Sequence, residues 1–263
     1  MKKITSIFAL LLVILMGIPL ASIAQESLDL AAAVDMSGRQ RMLSQRIAKA
    51  YFFLGKRVRT DKAKKQLEDS VALFKKSHNT LKAAIDDQGV QEMLTFIELA
   101  LDEYAELVSQ PYDDENAAVI LDLSETILEG SHDIVLKIEA LSKLKKSKIV
   151  NISGRQRMLS QRIAKYYIAY QAGFRDENSI VQLEKAVKQF EDANTLLTQE
   201  KRNTPEIQKE LTKVTRLWKV VRGFFLGVKK GGLPVTVFAT TDSIMRSMNK
   251  VTGLYVKTES VSN

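Results

Sequence analysis

A block of thirteen residues that carries four cationic side chains and no acid occurs twice in this sequence, at residues 37–49 and 153–165. In the first copy the cations are Arg39, Arg41, Arg46 and Lys49. The two blocks are identical, although the sequences around them have largely diverged. A planar guanidinium group donates two parallel hydrogen bonds to a carboxylate, nitrate or phosphate group. The repeated block therefore predicts a site for an anion.

Placed on a helix at about 100° per residue, the block divides into two faces. One face is apolar in both copies and is expected to face a core. The other combines small and polar side chains with one arginine per copy: Ser37, Gly38, Arg41, Ser44 and Gln45, and Ser153, Gly154, Arg157, Ser160 and Gln161. Small side chains let a second helix approach closely and leave room around the guanidinium group.

If two such faces meet, two guanidinium groups approach each other in a partly desolvated interface, which is unfavourable without a counter-charge. We therefore predict that an anion binds between Arg41 and Arg157, with the serine hydroxyls and glutamine amides as further donors. The alternative is a polar stripe that pairs with acids on a neighbouring helix, such as Glu68 or Asp69.

The pattern of the whole chain predicts an all-α fold. Only four prolines and twelve glycines occur, and apolar residues recur every three or four positions. Together with the repeat, this predicts two tandem four-helix up-down bundles, at residues 25–148 and 149–263. We expect residues 1–24, with Lys2 and Lys3 before an apolar run and a small-residue end, to be a secretory signal peptide rather than an uncleaved anchor. The protein would then be periplasmic or secreted.

The junction between the bundles has two interpretations. No proline or turn signal interrupts residues 115–172, which favours one long continuous helix with the bundles end to end. Arg41 and Arg157 would then be too far apart to share a ligand, and pairing would need a second chain, in a homodimer. The alternative is a break near Asn151, which would let the bundles fold side by side so that one chain forms its own pair.

Composition and motifs exclude several functions. The chain has no cysteine, and its net charge of +8 favours small anions or membrane surfaces, not nucleic acid, as partners of an exported protein. No Ser/His/Asp grouping or phosphate-binding glycine loop is present, so we predict neither an enzyme nor a cofactor. Glu129 and His132 form only half of a di-iron pattern, and we expect no metal site.

Residues 151–162, Asn-Ile-Ser-Gly-Arg-Gln-Arg-Met-Leu-Ser-Gln-Arg, closely resemble the P-box of the NarX-like and PilJ-like sensor domains. These are the periplasmic input modules of nitrate/nitrite sensor kinases and of type IV pilus chemotaxis transducers. The first copy, residues 35–46, departs from the family by having Asp35 where an asparagine is usual. The resemblance covers nearly all of the chain after residue 24, in two copies.

The resemblance implies a four-helix bundle that dimerises through its first helix, with one arginine from each first helix on a shared anion. It assigns that role to Arg41 and Arg157, and a supporting role to Arg46 and Arg162, beside Gly38 and Gly154. We expect an exported sensory accessory protein that binds a nitrate-like, nitrite-like or carboxylate anion. The alternative is a ligand-free module that docks a membrane receptor, signalling protein or other envelope partner.

Overall fold

The three- and four-residue spacing of apolar side chains forms eight α-helices within residues 30–141 and 148–260, the part of the chain that the computed structural model describes. The first four are α1 (Leu30–Gly55), α2 (Thr60–Ala84), α3 (Gln88–Ser109) and α4 (Asp114–Leu141). The other four are α5 (Lys148–Ala172), α6 (Glu177–Gln199), α7 (Pro205–Leu226) and α8 (Pro234–Ser260). The prediction of an all-α fold is confirmed.

Local sequence signals account for several helix starts. The side chain of Asp87 accepts a hydrogen bond from the backbone N–H of Val90 at 2.9 Å, and Asp176 caps α6 in the same way. Pro205 and Pro234 are the first residues of α7 and α8. Proline suits this position because the N–H that it lacks would have no partner within the helix.

The helices pack as two bundles in tandem. In the first, α1 packs on α2 and α4, and α3 joins α4 to α2; in the second, α5 packs on α6 and α8, and α7 joins α8 to α6. This agrees with the prediction of two tandem four-helix bundles. The exact domain boundaries, 25–148 and 149–263, stay a prediction.

The two bundles lie side by side, with α1 packed along α5. Helices α1 and α4 are antiparallel, because residue numbers rise along α1 while those of its partners on α4 fall. Arg41 contacts His132, and Gln45, further along α1, donates to the backbone oxygen of Ser124. Helices α1 and α5 are parallel, since Asp35 contacts Arg157 and Lys49, further along α1, contacts Gln161. Helices α4 and α5 are therefore antiparallel.

This packing corrects the expected junction. The end-to-end arrangement is wrong, because two antiparallel helices cannot be parts of one straight helix. The junction itself, residues 142–147, lies outside the described residues. The bundles of one chain supply both copies of the arginine, so their pairing does not require a homodimer.

The central helices α1 and α5 are buried on almost every side. Of residues 37–53, all but Arg39 and Arg46 are buried, and of residues 153–169, all but Arg155 and Arg162. Each helix contacts two helices of its own bundle as well as the other central helix, so its polar face is covered too. The polar side chains of the repeated block therefore need partners inside the protein.

The described residues bear on the signal peptide and on membrane crossing to different degrees. The predicted signal peptide, residues 1–24, lies outside the described residues and stays a prediction. Within residues 30–141 and 148–260, none of the helices combines the length and apolar character that crossing a membrane requires.

Candidate functional site

The two bundles are joined by buried ion pairs that cross between them. The ammonium group of Lys49 in α1 contacts the carboxylate of Asp242 in α8, and Lys165 in α5 contacts Glu125 in α4. Lys49 and Lys165 are equivalent residues of the repeat, so the two contacts are related by the pseudo-symmetry of the chain. Neither lysine side chain is exposed to solvent.

Burial and ion pairing act against each other in these contacts. Burial lowers the pKa of Lys49 and of Lys165 to about 8, although the facing carboxylate acts in the other direction. Burial alone would raise the pKa of Asp242, but Lys49 outweighs it and holds that pKa below its usual value. The pKa of Glu125 is lowered by Lys165 and Arg162 in the same way, against its own burial. Both carboxylates are therefore ionised at neutral pH.

Each of the three side-chain nitrogens of Arg157 has a partner within the protein. Its Nη2 donates to Oδ1 of Asp35 at 2.8 Å, and its Nη1 donates to Oδ1 of Asn249 at 2.9 Å. Its Nε donates to the backbone oxygen of Gly154 at 3.3 Å. The side chain is only 3% exposed, and the carboxylate that neutralises it belongs to the other bundle. Asp35, the departure from the family pattern, is thus the counter-ion of the second arginine.

Arg41 is equally buried, at 5% exposed, but no carboxylate of the described residues forms an ion pair with it. Its Nη1 lies 3.2 Å from Nδ1 of His132, the residue equivalent to Asn249, and its buried Nε has no hydrogen-bond partner. Burial, together with the nearby cations Arg155 and Arg157, lowers the pKa of Arg41 to about 10, although the carboxylates of Glu139 and Asp35 act in the other direction. Arg41 is therefore a buried cation next to two others.

A glycine one turn before each arginine leaves room for the guanidinium group. A Cβ atom at Gly38 would lie 3.2 Å from Nη2 of Arg41, and one at Gly154 would lie 3.3 Å from Nη2 of Arg157. Either contact would be closer than most Cβ contacts in proteins. The supporting role expected for the two glycines is therefore steric.

An open cleft of about 690 Å³ lies beside Arg41, between α4 of the first bundle and α5 and α6 of the second. Arg41, His132 and Arg155 line it together, and Arg162 and Glu125 line it further along α5 and α4. Within residues 30–141 and 148–260, neither Arg41 nor Arg155 forms an ion pair. The cleft contains charges of both signs, because four carboxylates line it as well: Asp122, Glu125, Glu129 and Asp176.

The predicted serine and glutamine ligands do not line this cleft. Each serine hydroxyl donates to a backbone oxygen of its own helix; these are Ser37, Ser44, Ser153 and Ser160. The amide of Gln45 donates to the backbone oxygen of Ser124, and Gln161 accepts from Lys49 at 2.8 Å. These side chains contact the protein itself, because both faces of the central helices are covered.

The two supporting arginines have carboxylates nearby. Arg162 contacts Glu125 and also donates to Oε1 of Gln182 at 3.0 Å. Burial lowers the pKa of Arg46, while Asp242 and, more weakly, Asp69 act to raise it. Within the described residues, the alternative in which the polar stripe pairs with an acid of a neighbouring helix holds for Arg157, whose acid is Asp35 and not Glu68 or Asp69. It does not hold for Arg41.

The spacing of Glu129 and His132 resembles half of a metal site, but His132 contacts Arg41 instead. Within the part of the chain that is described, no group of three or more His, Asp or Glu side chains could hold a metal ion. Burial and then Arg41 and Arg155 lower the pKa of His132, so the ring is neutral at pH 7. Because Nδ1 accepts from Arg41, Nε2 carries the proton.

One protein-family model matches the sequence of this chain in two segments, one in each bundle. The model described as the type IV pili methyl-accepting chemotaxis transducer N-terminal domain, PilJ, matches residues 23–120 and 141–233. The chain belongs to this family. The PilJ-like resemblance in two copies is thereby confirmed. No curated protein and no solved structure matches the chain.

Membership of the PilJ family sets the general role of the chain. The family consists of the sensory input parts of chemotaxis transducers, and these are not catalytic. The PilJ-type chain described here is accordingly a sensory module of a signalling system. Its two copies of the family domain form the two sides of the Arg41 cleft.

Sequence reasoning missed the acids that complete the site. Glu125 and Asp242 lie at equivalent positions in the first half of α4 and of α8, which is a signal that they act with the repeated lysines. His132 was considered only as a metal ligand. Its partner Arg41 lies on another helix, and only the packing of α1 on α4 brings them together.

Proposed function

We propose that this chain is a sensory domain that binds one small oxyanion, nitrate-like, nitrite-like or carboxylate, beside Arg41 in the cleft between the bundles. The observation that carries the proposal is the buried guanidinium group of Arg41, which lines the cleft and has no carboxylate partner among the described residues. Arg155 lines the same cleft as a second cation.

The electrostatics of the site favour an anion. A buried ion without a partner costs several kcal/mol, to an order of magnitude. An oxyanion beside the guanidinium group of Arg41 would offset the repulsion between Arg41, Arg155 and Arg157. The Nε2 proton of His132 adds a neutral donor on the same wall. Relief of the repulsion that Arg155 and Arg157 exert on Arg41 would therefore contribute to the free energy of anion binding.

One site per chain, rather than a symmetric site between two arginines, follows from Asp35. The carboxylate of Asp35 already pairs with Arg157 through one oxygen and with Arg39 through the other, so an incoming anion gains less at Arg157 than at Arg41. Asn151 occupies the equivalent position in the second bundle and has no charge with which to neutralise Arg41. We therefore propose that the duplication has left one arginine for the ligand and one for structure.

The position of the site suggests how binding would be sensed. Arg41 and His132 belong to the first bundle and Arg155 to the second, so an anion among them contacts both. Its binding would change the free energy of packing between the bundles, which is the quantity that a partner could detect. Membership of a chemotaxis transducer family supports a signalling receptor as that partner. We also propose a periplasmic or secreted location, with residues 1–24 as the signal peptide.

Isothermal titration calorimetry with nitrate, nitrite and acetate tests the proposal. We expect at least one anion to bind the wild-type protein, and binding to be lost in Arg41→Ala. Arg216→Ala is the matched control, because Arg216 is an exposed arginine of α7 outside the cleft. If Arg41→Ala binds every anion as the wild type does, the site is elsewhere and the proposal fails.

A second candidate function is docking without a ligand. Leu226, Leu233 and Val235 surround the turn between α7 and α8 and are each at least half exposed. This apolar tip could contact a receptor or another envelope protein. A variant with serine at the three positions should then lose the signalling response while Arg41→Ala keeps it, the reverse of what anion sensing predicts.

A further inference from the structure

The cleft beside Arg41 also contains an acid without a partner. Glu129 lies on α4 one turn before His132, on the same face of the helix, and lines the cleft. It is exposed, and within the described residues it forms no ion pair. Glu125, one turn before Glu129, is already paired with Lys165 and Arg162. Glu129 is therefore a carboxylate that is free to contact a ligand.

The repeat indicates that this acid is particular to the Arg41 cleft. The pairs Glu125 with Asp242 and His132 with Asn249 define the correspondence between α4 and α8. In that register Arg246 occupies the position equivalent to Glu129. The bundle whose arginine is uncompensated thus has an acid here, and the bundle whose arginine is neutralised by Asp35 has a cation.

From this arrangement we infer that the ligand is a small zwitterion, a carboxylate that also bears an ammonium group. The carboxylate contacts Arg41 and the ammonium group contacts Glu129. This inference rests on the proposed function, because it uses the same cleft and the same arginine.

Spacing and charge both favour this class of ligand. Side chains three residues apart on a helix have Cβ atoms about 5–6 Å apart, so Glu129 lies about one side chain away from the His132–Arg41 contact. An amino acid with one to three carbons between its charged groups is of that size. A simple anion gains the attraction of Arg41 and Arg155 but meets the repulsion of Glu129, and an ammonium group turns that repulsion into attraction.

The test compares ligands that differ only in the ammonium group. Calorimetry is carried out with acetate and glycine, propionate and 3-aminopropionate, and butyrate and 4-aminobutyrate. We expect one of the amino acids to bind the wild-type protein about tenfold or more tightly than its partner, the effect of one charge-assisted contact. Glu129→Gln should remove this preference. Glu103→Gln, at an exposed acid of α3 outside the cleft, should retain it.

A charge reversal makes the inference independent of small losses in stability. Glu129→Arg reproduces the arginine of the second bundle and should make the simple carboxylate the tighter ligand of each pair. If simple carboxylates bind through Arg41 with the same affinity as the amino acids, in wild type and Glu129→Gln alike, the zwitterion is excluded and the anion site stands. If neither member of any pair binds, the zwitterion is excluded, and the titrations with nitrate and nitrite alone decide whether the anion site stands.

Discussion

The guanidinium group of Arg157 and the carboxylate of Asp35 lie 2.8 Å apart across the boundary between the two bundles. The equivalent arginine, Arg41, has no such partner in the part of the chain that the structure describes, because Asn151 stands where the second bundle would supply the acid. A chain built from two copies of one domain is therefore asymmetric at its centre. One arginine is paired across the boundary between the bundles, and the other is the arginine that we propose for the ligand.

Asp35→Asn should remove this asymmetry. The variant gives the first bundle the side chain that Asn151 gives the second, and it leaves Arg157 without its carboxylate. We expect the free energy of unfolding to fall by about 1.5–3 kcal/mol, the range for a hydrogen bond to a charged group. Calorimetry should detect tighter anion binding or a second anion per chain. Unchanged affinity and stoichiometry would show that Asp35 does not compete with the ligand.

The two arginines should differ when each is replaced by methionine, an apolar side chain of similar length. Arg157→Met leaves the carboxylate of Asp35 and the amide of Asn249 without their donor, and we expect a loss of about 2–4 kcal/mol. Arg41→Met removes a buried cation without a counter-ion and should cost less than about 1 kcal/mol or stabilise the protein. Urea unfolding measures both. Equal losses would contradict the asymmetry.

The crossed ion pairs should dominate the packing of the two bundles. Asp242→Asn leaves the ammonium group of Lys49 buried without a counter-ion, and Glu125→Gln does the same to Lys165. Each change should lower the free energy of unfolding by about 3–5 kcal/mol. Asp192→Asn breaks an exposed pair with Lys188 and should cost at most about 1 kcal/mol. Similar effects from all three variants would argue against a special role for the crossed pairs.

Acid should destabilise the protein through the same carboxylates. Asp35, Glu125 and Asp242 have folded-state pKa values below their usual ones, because neighbouring cations outweigh the effect of burial. As the pH falls through about 4, the unfolded chain binds protons first. The stabilisation is therefore complete above that pH and is lost as the pH falls through the folded-state values. Thermal melts from pH 6 to pH 2 measure it, and Asp242→Asn should show a weaker dependence on pH.

The sequence predicted the elements well and the site in part. Periodicity and the repeat identify the helices and single out Arg41 and Arg157, because these signals are local. They do not show that α1 packs along α5, since that depends on the direction of the chain after residues 142–147. The counter-ions follow from that packing. Asp35 is unusual for the family at its position, but its contact with Arg157 joins two bundles and cannot be predicted from local sequence.

The most direct test of the account is a calorimetric titration of one anion into three proteins: wild type, Arg41→Ala and Arg157→Ala. The ligand is the tightest small carboxylate or oxyanion found for the wild type. We expect one anion per wild-type chain, no binding to Arg41→Ala, and binding retained in Arg157→Ala. Loss of binding in Arg157→Ala with binding retained in Arg41→Ala would contradict the central claim that Arg41 is the uncompensated cation that holds the ligand.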